Sequence, residues 1–278
     1  MSSAIIKVPM RNRLVVVKIG GHIVDNDAAL DSALVLFSRI KGKKVLVHGG
    51  GKVATDLASE LSIPQTLIEG RRVTDKETLK VATLVYGGLV NKTLTVKLQA
   101  LDINAIGMTG ADGNLIRAKK RAKGEIDYGF VGDVERVNGP LLKSFLEQGL
   151  TPVIAPLTHD GDGQLLNTNA DTIAQEVAKS LCRDYDVTLV YGFEKIGVLL
   201  DLEDETSLLR EITPSVFQHL RAEGKVFDGM IPKLENAFRA IESGVKRVCL
   251  GKAETLIDLI DGKSGTSLRA DTESKQEA

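Results

Sequence analysis

The sequence predicts an α/β protein: a three-layer sandwich with a mostly parallel central sheet, helices on both faces and a β-hairpin at the sheet edge. Two observations predict this fold class. Short, nearly continuous apolar runs alternate with longer segments that repeat apolar residues at helical spacing. Between Asn114 and Asn138 the pattern changes to period two, with turn residues at Lys123-Gly124, which is typical of an antiparallel hairpin.

Buried parallel strands are predicted where apolar, often β-branched residues run almost uninterrupted: Leu14–Ile19, Lys44–His48, Ala105–Met108, Pro152–Ala155, Val187–Tyr191 and Arg247–Leu250. Helical spacing predicts helices at Ala28–Ile40, Val53–Leu61, Thr74–Leu101, Leu141–Gln148, Ala170–Leu181, Pro214–Glu223 and Lys233–Ser243. The alternating order of strands and helices favours a sheet that is covered on both faces.

The longest predicted helix begins at Thr74, where Thr74-Asp75-Lys76-Glu77 fits a capping box, and runs toward Leu101. Gly87-Gly88 lies inside it. Because glycine is less favourable than alanine in a helix by ~1 kcal/mol, we expect close packing or a kink at this point.

Composition indicates an ordinary soluble protein with a small-molecule ligand. The chain has 278 residues, 43% of them hydrophobic, and a net charge of −1, so no global field favours nucleic acid or an anionic membrane. Cys182 and Cys249 stand singly in apolar stretches, as buried thiols do in a reducing compartment. No targeting pattern or membrane-length apolar run is present in the sequence, so we expect a cytoplasmic protein.

Two glycine-rich strand-to-helix junctions are the main candidates for a binding site. Lys18-Ile19-Gly20-Gly21 ends the first predicted strand, and His48-Gly49-Gly50-Gly51 ends the second. Glycine permits unusual backbone angles and leaves main-chain amides bare, so strand-to-helix junctions of this kind can hold anions. Two of them close together in the chain predict a phosphate approached from two sides.

A dinucleotide-binding reading is the rival interpretation. Gly49-Gly50-Gly51-Lys52-Val53-Ala54 fits a Gly-x-Gly-x-x-Ala fingerprint, and Glu69 follows at suitable spacing. This reading predicts an NAD(P)-dependent oxidoreductase of the Rossmann type. It is disfavoured because Glu69 does not end a recognisable strand, and because it leaves the first glycine junction without a role.

Further motifs extend the phosphate reading, and together they resemble the amino-acid kinase family, within it the enzymes that act on N-acylated glutamate. The resemblance runs from about Leu14 to Leu268. Its motifs, in chain order, are Lys18-Ile19-Gly20-Gly21, His48-Gly49-Gly50-Gly51, Gly70-Arg71-Arg72-Val73-Thr74, Asn167-Thr168-Asn169-Ala170-Asp171, Gly229-Met230-Ile231-Pro232-Lys233 and Gly265-Thr266.

The resemblance implies that the γ-phosphoryl group of ATP is transferred to the side-chain carboxylate of N-acetyl-L-glutamate, the second step of arginine biosynthesis. It assigns catalytic roles to Lys18, Lys233 and Asp171, with the aspartate holding both lysines. The acceptor is ionised at neutral pH, so no general base is required. His48 is accordingly interpreted as a structural, hydrogen-bonding residue.

The resemblance also implies the contacts around the reacting groups. Gly20, Gly21 and Lys233 would hold the nucleotide phosphates, with Mg²⁺ bridging the phosphates of ATP and no dedicated protein metal site. Gly50 and Gly51 would cover the acceptor. Arg72 would bind its α-carboxylate, and Asn167 would supply a second substrate contact.

Two departures from the family pattern leave alternatives open. Arg71 stands where an apolar residue is more usual, which raises N-succinyl-L-glutamate as an alternative acceptor. Tyr191-Gly192-Phe193-Glu194-Lys195 replaces a more usual aspartate-bearing turn before the nucleotide loop. Carbamate kinase, glutamate 5-kinase, aspartokinase and uridylate kinase share the fold and remain alternatives within the family.

The expected organisation is an acylglutamate-binding and dimerisation lobe at 1–166, an ATP-binding lobe at 167–270 and a disordered tail at 271–278. Thirteen residues precede the first predicted strand, and arginine-inhibited relatives carry an extra N-terminal helix. We therefore expect an arginine-insensitive homodimer, with a long helix of the N-terminal lobe at the interface.

Overall fold

A computed structural model describes residues 12–68, 71–201, 203–224 and 231–271. The predictions for the segment before residue 12, for Gly70, for Gly229-Met230 and for the tail beyond Asp271 lie outside these ranges.

Regular structure alternates along the chain as the sequence predicts. The strands are β1 (Arg13–Ile19), β2 (Lys43–His48), β3 (Thr66–Ile68), β4 (Arg71–Val73), β5 (Ala105–Met108), β6 (Ile116–Lys120), β7 (Gly132–Val137), β8 (Thr151–Ile154), β9 (Leu157–His159), β10 (Leu165–Asn167), β11 (Asp186–Phe193), β12 (Val198–Leu199), β13 (Leu208–Leu209), β14 (Glu211–Ile212), β15 (Arg247–Lys252) and β16 (Thr266–Leu268). The helices are α1 (Gly21–Val24), α2 (Asp27–Ser38), α3 (Gly51–Glu60), α4 (Lys76–Ala82), α5 (Asn91–Gln99), α6 (Gly139–Glu147), α7 (Ala170–Leu181), α8 (Pro214–Ala222), α9 (Ile231–Glu242) and α10 (Leu256–Asp261), and a π-helical segment (Thr83–Val90) joins α4 to α5.

Eight strands form the central sheet in the order β14-β16-β15-β11-β1-β2-β8-β5. Every neighbouring pair is parallel except β15 with β16, which confirms the mostly parallel sheet. The first strand, β1, lies near the middle, between β2 and β11. Strands from both halves of the chain therefore belong to one sheet.

The alternation of side chains along β1 divides the core in two. Leu14 and Val16 face one cluster, which includes residues of α6, α7 and α9. Val15 and Val17 face the other, which includes residues of α2, α3 and α5. Successive residues of a strand point to opposite faces, so an uninterrupted apolar run requires both faces to be covered. The three-layer sandwich is confirmed.

The predicted hairpin forms, but its expected position was wrong. β6 and β7 pair antiparallel, yet they belong to a separate four-stranded sheet in the order β10-β9-β6-β7 and not to the edge of the central sheet. The chain leaves the central sheet after β5, where the Gly110 amide donates to the Leu157 carbonyl at 2.7 Å. A Cβ on Gly110 would lie 2.8 Å from that oxygen, so glycine permits this close approach.

The long helix is present as α4, the π-helical segment and α5. Its cap is Asp75, whose carboxylate accepts a 2.8 Å bond from the Thr78 amide, so the prediction of Thr74 as cap was wrong. The Thr74 hydroxyl instead donates to the Arg72 carbonyl at 3.0 Å. Gly87-Gly88 falls in the π-helical segment, and a Cβ on Gly87 would lie 3.3 Å from the Leu157 side chain, so of the two expected outcomes the structure shows close packing.

Candidate active site

The carboxyl ends of three neighbouring strands bring the glycine junctions together. Ile19 of β1 lies in register with His48 of β2 on one side and with Gly192 of β11 on the other. In open parallel sheets, ligands bind in a crevice at the carboxyl ends of the strands. The crevice forms where the connections of two neighbouring strands leave toward opposite sides of the sheet. β1 occupies that position in the central sheet.

Lys18 and Asp171 form an ion pair at this edge. Lys18 follows Leu14 and Val16 at period two, so its side chain points toward the face that α7 covers. Its Nζ lies 2.9 Å from Oδ1 of Asp171, and its side chain is 16% exposed. Asn169 caps α7 by accepting from the Asp171 amide at 2.8 Å, which fixes Asp171 in the first turn.

Lys233 reaches the same cavity from α9. The cavity is lined by Lys18, Asp171, Tyr191, Gly192, Phe193, Lys233, Asn236 and Leu250. The Lys233 ammonium lies 5.5 Å from the centroid of the Phe193 ring, within the range of a cation–π contact. The structure thus places the three predicted catalytic side chains around one cavity. Only Lys18 is paired with Asp171 among the contacts that the described residues make.

Gly20 and Gly21 are the glycines predicted to lie on the nucleotide side. The Gly20 amide donates to the Gly192 carbonyl at 3.2 Å, so in this structure it is engaged between β1 and β11 and is not open to a phosphate. Gly21 begins α1. A Cβ on Gly21 would lie 3.9 Å from the Gly51 amide nitrogen, so the two glycine turns are in direct contact.

We call residues 49–51 the acceptor loop, after the prediction that Gly50 and Gly51 cover the phosphoryl acceptor. The Gly49 amide donates to the Ile19 carbonyl at 3.1 Å, which ties the loop to the end of β1. Gly50 has φ +142°, a conformation that favours glycine, and a Cβ there would lie 3.3 Å from Tyr86 and from Val90. Gly51 begins α3, a helix of 10 residues.

Arg72 lies on β4 and is 9% exposed. Its Nη2 donates to the Gly51 carbonyl at 2.7 Å and to the Thr55 hydroxyl at 2.8 Å, and its Nη1 donates to Gln65. The guanidinium is thereby fixed beside the acceptor loop. Burial raises the pKa of the neighbouring Tyr86 phenol, an effect that the charge of Arg72 partly offsets.

Asn167 is linked to Arg72 through a threonine. The Asn167 amide donates to the Thr74 hydroxyl at 3.0 Å, and that hydroxyl donates to the Arg72 carbonyl. Two motifs that lie far apart in the sequence therefore share one hydrogen-bonded chain beside the acceptor loop. Arg71, the preceding residue on β4, is exposed, and strand alternation points it away from the face of Arg72.

His48 is fully buried and hydrogen-bonded, which confirms its interpretation as a structural residue. Burial lowers its pKa to about 4, so the ring is neutral near pH 7 and the site holds no imidazolium there. Asp25, just after α1, was not predicted as part of the site. Both its carboxylate oxygens are buried, close to the Val53 amide and the Lys52 ammonium.

Tyr86 and Asn91 were also not predicted, because an apolar helical pattern does not distinguish a core position from the wall of a site. Within the described ranges, no three His, Cys, Asp or Glu residues are grouped so as to hold a metal ion. No helix in the same ranges is long and apolar enough to cross a membrane.

The profile of the Amino acid kinase family matches residues 13–252, most of the chain. The chain belongs to this family. An acetylglutamate kinase of Phocaeicola vulgatus is 54% identical over 260 residues, which cover 94% of this chain and all of the relative.

Solved structures agree on the fold. The smu.665 protein of Streptococcus mutans UA159 superposes with a TM-score of 0.74 at 29% identity, covering 93% of this chain and 99% of that one. N-acetylglutamate synthase of Neisseria gonorrhoeae, complexed with coenzyme A and N-acetyl-glutamate, gives a TM-score of 0.78 at 21% identity. The match covers 94% of this chain and 60% of that one, and at this identity it shows the fold alone.

Proposed function

We propose that this chain transfers the γ-phosphoryl group of ATP to the side-chain carboxylate of N-acetyl-L-glutamate, giving the acyl phosphate and ADP, the second step of arginine biosynthesis. The acetylglutamate kinase that is 54% identical over its whole length supports this activity. The structural observation that carries the proposal is the cavity shared by Lys18, Asp171 and Lys233, which lies at the same sheet edge as the acceptor loop.

The chemistry requires an anion to approach a polyanion. A glutamate side chain is ionised at pH 7, so the acceptor is already a nucleophile and proton removal is not the difficulty. Catalysis then depends on alignment and on cations placed where charge develops in the transition state. A neutral, buried His48 is consistent with a reaction that uses no base.

We assign the two lysines to the transferring group. Lys18, held by Asp171, would stabilise the phosphoryl group in transit. Lys233 contacts Phe193 in this structure, and we propose that its ammonium leaves the ring for the nucleotide phosphates when ATP binds. Gly21 would complete the nucleotide side, and Gly20 would join it only after its bond to Gly192 opens.

The acceptor would lie against Gly50 and Gly51, with Arg72 and Asn167 beyond them. The three side-chain and main-chain contacts of Arg72 use three of the five N–H donors that a guanidinium carries. Tyr86 also draws on the guanidinium, and a remaining donor would bind the α-carboxylate of the substrate, oriented by the contacts to Gly51 and Thr55. Asn167 would add a contact from β10.

Mg²⁺ would arrive with the nucleotide. This ion keeps most of its waters and prefers phosphate oxygens, so a bound MgATP requires few protein ligands. The ion supplies charge neutralisation at the phosphates, and the chain supplies the two lysines and the glycine amides.

We further propose a cytoplasmic homodimer whose protomers divide functionally into an acceptor lobe and a nucleotide lobe near residue 167. Three large apolar side chains on the long helix are more than half exposed: Leu84, Leu89 and Val96. In a π-helical segment the hydrogen bond runs from i to i+5, which brings Leu84 and Leu89 toward one side. Sedimentation of the wild type and of Leu89→Glu tests this: a dimer that dissociates in the variant is expected, and a wild-type monomer contradicts it.

The activity is tested by ADP release, measured by a coupled assay with MgATP and each of five acceptors: N-acetylglutamate, N-succinylglutamate, glutamate, carbamate and UMP. We expect the highest kcat/KM with N-acetylglutamate. A strong preference for N-succinylglutamate would change the acyl group and keep the reaction class. Activity only with carbamate, glutamate or UMP would overturn the proposal.

A further inference from the structure

One buried hydrogen-bonded group fixes the acceptor loop from inside the protein. His48 is the last residue of β2 and is 0% exposed. Its Nδ1 lies 2.8 Å from the Gly49 carbonyl oxygen. A carbonyl oxygen only accepts, so Nδ1 carries the proton.

The other ring nitrogen contacts Asn91. Nε2 of His48 lies 3.1 Å from Nδ2 of Asn91, and the same Nδ2 donates to the Val153 carbonyl at 3.0 Å. Oδ1 of Asn91 accepts from the Lys92 ammonium at 3.2 Å. The ammonium can only donate, so it fixes which end of the amide faces the ring. Nε2 is therefore the acceptor, and the ring is held as the neutral Nδ1–H tautomer.

This tautomer sets the orientation of one peptide group. The Gly49 carbonyl is held by His48, and the Gly49 amide is held by the Ile19 carbonyl at 3.1 Å. Gly50 follows with its φ of +142°, and Gly51 then starts α3. Glycine has the widest conformational freedom of any residue, so a run of three keeps one conformation only when other groups hold it.

We propose that His48, through its Nδ1–H, is a positioning residue that holds the Gly49-Gly50-Gly51 backbone in the conformation that receives the phosphoryl acceptor. It touches neither substrate. Its effect is on acceptor binding, while the nucleotide side is held by other groups, the Lys18–Asp171 pair among them. This inference rests on the proposed function, because it assigns the acceptor to the loop.

Two substitutions separate the two hydrogen bonds of the ring. In His48→Asn, the side-chain amide can place an N–H near the position of Nδ1 and so retain the bond to the Gly49 carbonyl. In His48→Gln, the longer side chain can place its oxygen near Nε2 and retain the contact with Asn91, but it loses the Gly49 bond. Packing alone favours the larger glutamine, so the inference predicts the opposite order from a packing effect.

Steady-state KM for N-acetylglutamate and for MgATP is measured for both variants, with thermal melts of each. A lost buried hydrogen bond is worth about 1–3 kcal/mol, so His48→Gln is expected to raise the acceptor KM by about tenfold or more. His48→Asn is expected to stay within about threefold of the wild type. The KM for MgATP should move by less than about twofold in either variant.

Equal acceptor KM values in the two variants, or a larger rise in His48→Asn, would overturn the inference. So would a parallel rise in both KM values, which indicates a general structural role. If the wild type does not phosphorylate N-acetylglutamate at all, the proposed function fails instead, and the two failures are distinguished.

A measurement on the wild type tests the tautomer directly, so the inference can be tested even if the variants fold poorly. Long-range ¹H–¹⁵N spectra of the imidazoles should show one ring in the Nδ1–H form that does not titrate between pH 5 and pH 8. The chain has 4 histidines, and His22 and His219 are exposed whereas His48 is fully buried. Absence of a non-titrating Nδ1–H ring would also overturn the inference.

Discussion

The turns after β1 and β2 are alike in sequence, since each follows a buried strand and contains a glycine pair, but different groups hold them. An ion pair between Lys18 and Asp171 stands beside the first turn and borders a cavity that solvent reaches. A neutral, fully buried histidine and asparagine hold the second. Under the proposed function this difference is a division of labour, with charge where the phosphoryl group would be transferred and a fixed backbone shape where the acceptor would bind.

The largest effect should come from removing the charge at the first turn. We expect Lys18→Met to lower kcat by about 10³-fold or more with little change in either KM, since the lysine acts mainly in the transition state. Stopped assays of ADP formation measure this, and Lys80→Met, at an exposed lysine of α4, serves as the control. A rise in KM without a fall in kcat would contradict this comparison of the two turns, because Lys18 would then act in ground-state binding.

The next effect tests the acceptor side. Arg72→Lys keeps the charge but loses the fork that contacts Gly51 and Thr55. We expect the acceptor KM to rise by about 10- to 100-fold with a smaller change in kcat, because hydrogen bonds to charged groups are worth about 1.5–3 kcal/mol. Isothermal titration with N-acetylglutamate checks the weaker binding of the acceptor. Loss of ATP binding instead would show that the two turns do not divide the substrates between them.

Gly50→Ala tests whether shape matters at the second turn. The substitution strains φ +142° and places a Cβ 3.3 Å from Tyr86 and Val90, so we expect a loss of about 1–3 kcal/mol of unfolding free energy, together with a higher acceptor KM. Gly163→Ala is a matched control for strain, since Gly163 has φ +98° and no atom within 4 Å of an added Cβ. Equal losses in urea unfolding would mean that contact with Tyr86 and Val90 contributes nothing.

The smallest effect concerns Asp25. Burial raises its pKa in the folded protein above the usual 3.8, an effect that the charge of Lys52 and the Val53 amide partly offset. A raised folded pKa means that the unfolded state ionises more readily, so Asp25 lowers stability as pH rises above 3.8 through the folded value.

Asp25→Asn should therefore raise Tm at pH 8 by about 2–4 °C and leave it unchanged near pH 3, where both states are protonated. Differential scanning calorimetry at the two pH values checks this. Asp56→Asn is the control, because Asp56 pairs with Lys52 on the surface and its loss should change Tm by less than about 1 °C. A lower Tm for Asp25→Asn at pH 8 would show that the charged form is stabilised.

Local pattern was sufficient for the layers of the fold, and the family resemblance pointed to side chains that share one cavity. The bounds of α7 are those predicted, and Lys18, Asp171 and Lys233 line one cavity. The helix bounds depend on helical spacing, which is local, whereas the three side chains were assigned by the resemblance to the family. Short strands such as β9 and β10 were not predicted, because three residues are too few to show an alternating pattern.

The remaining differences come from long-range hydrogen bonds. Thr74 does not cap the helix because its hydroxyl is hydrogen-bonded to the Arg72 carbonyl and to the Asn167 amide. The local sequence pattern does not predict these two partners. The contact between Asn91 and His48 joins residues that are 43 positions apart. Asn91 directly follows the π-helical segment, which apolar spacing does not distinguish from an ordinary helix.

The in-register pairing of β1 with both β2 and β11 has a mechanical consequence. Lys18 lies opposite Val47 on one side and Tyr191 on the other, so two hydrogen-bonded ladders fix its place relative to the ends of β2 and β11. Inserting a single residue in β1 would send the Lys18 ammonium through to the opposite side of the sheet, and no adjustment of the surrounding loops would bring it back.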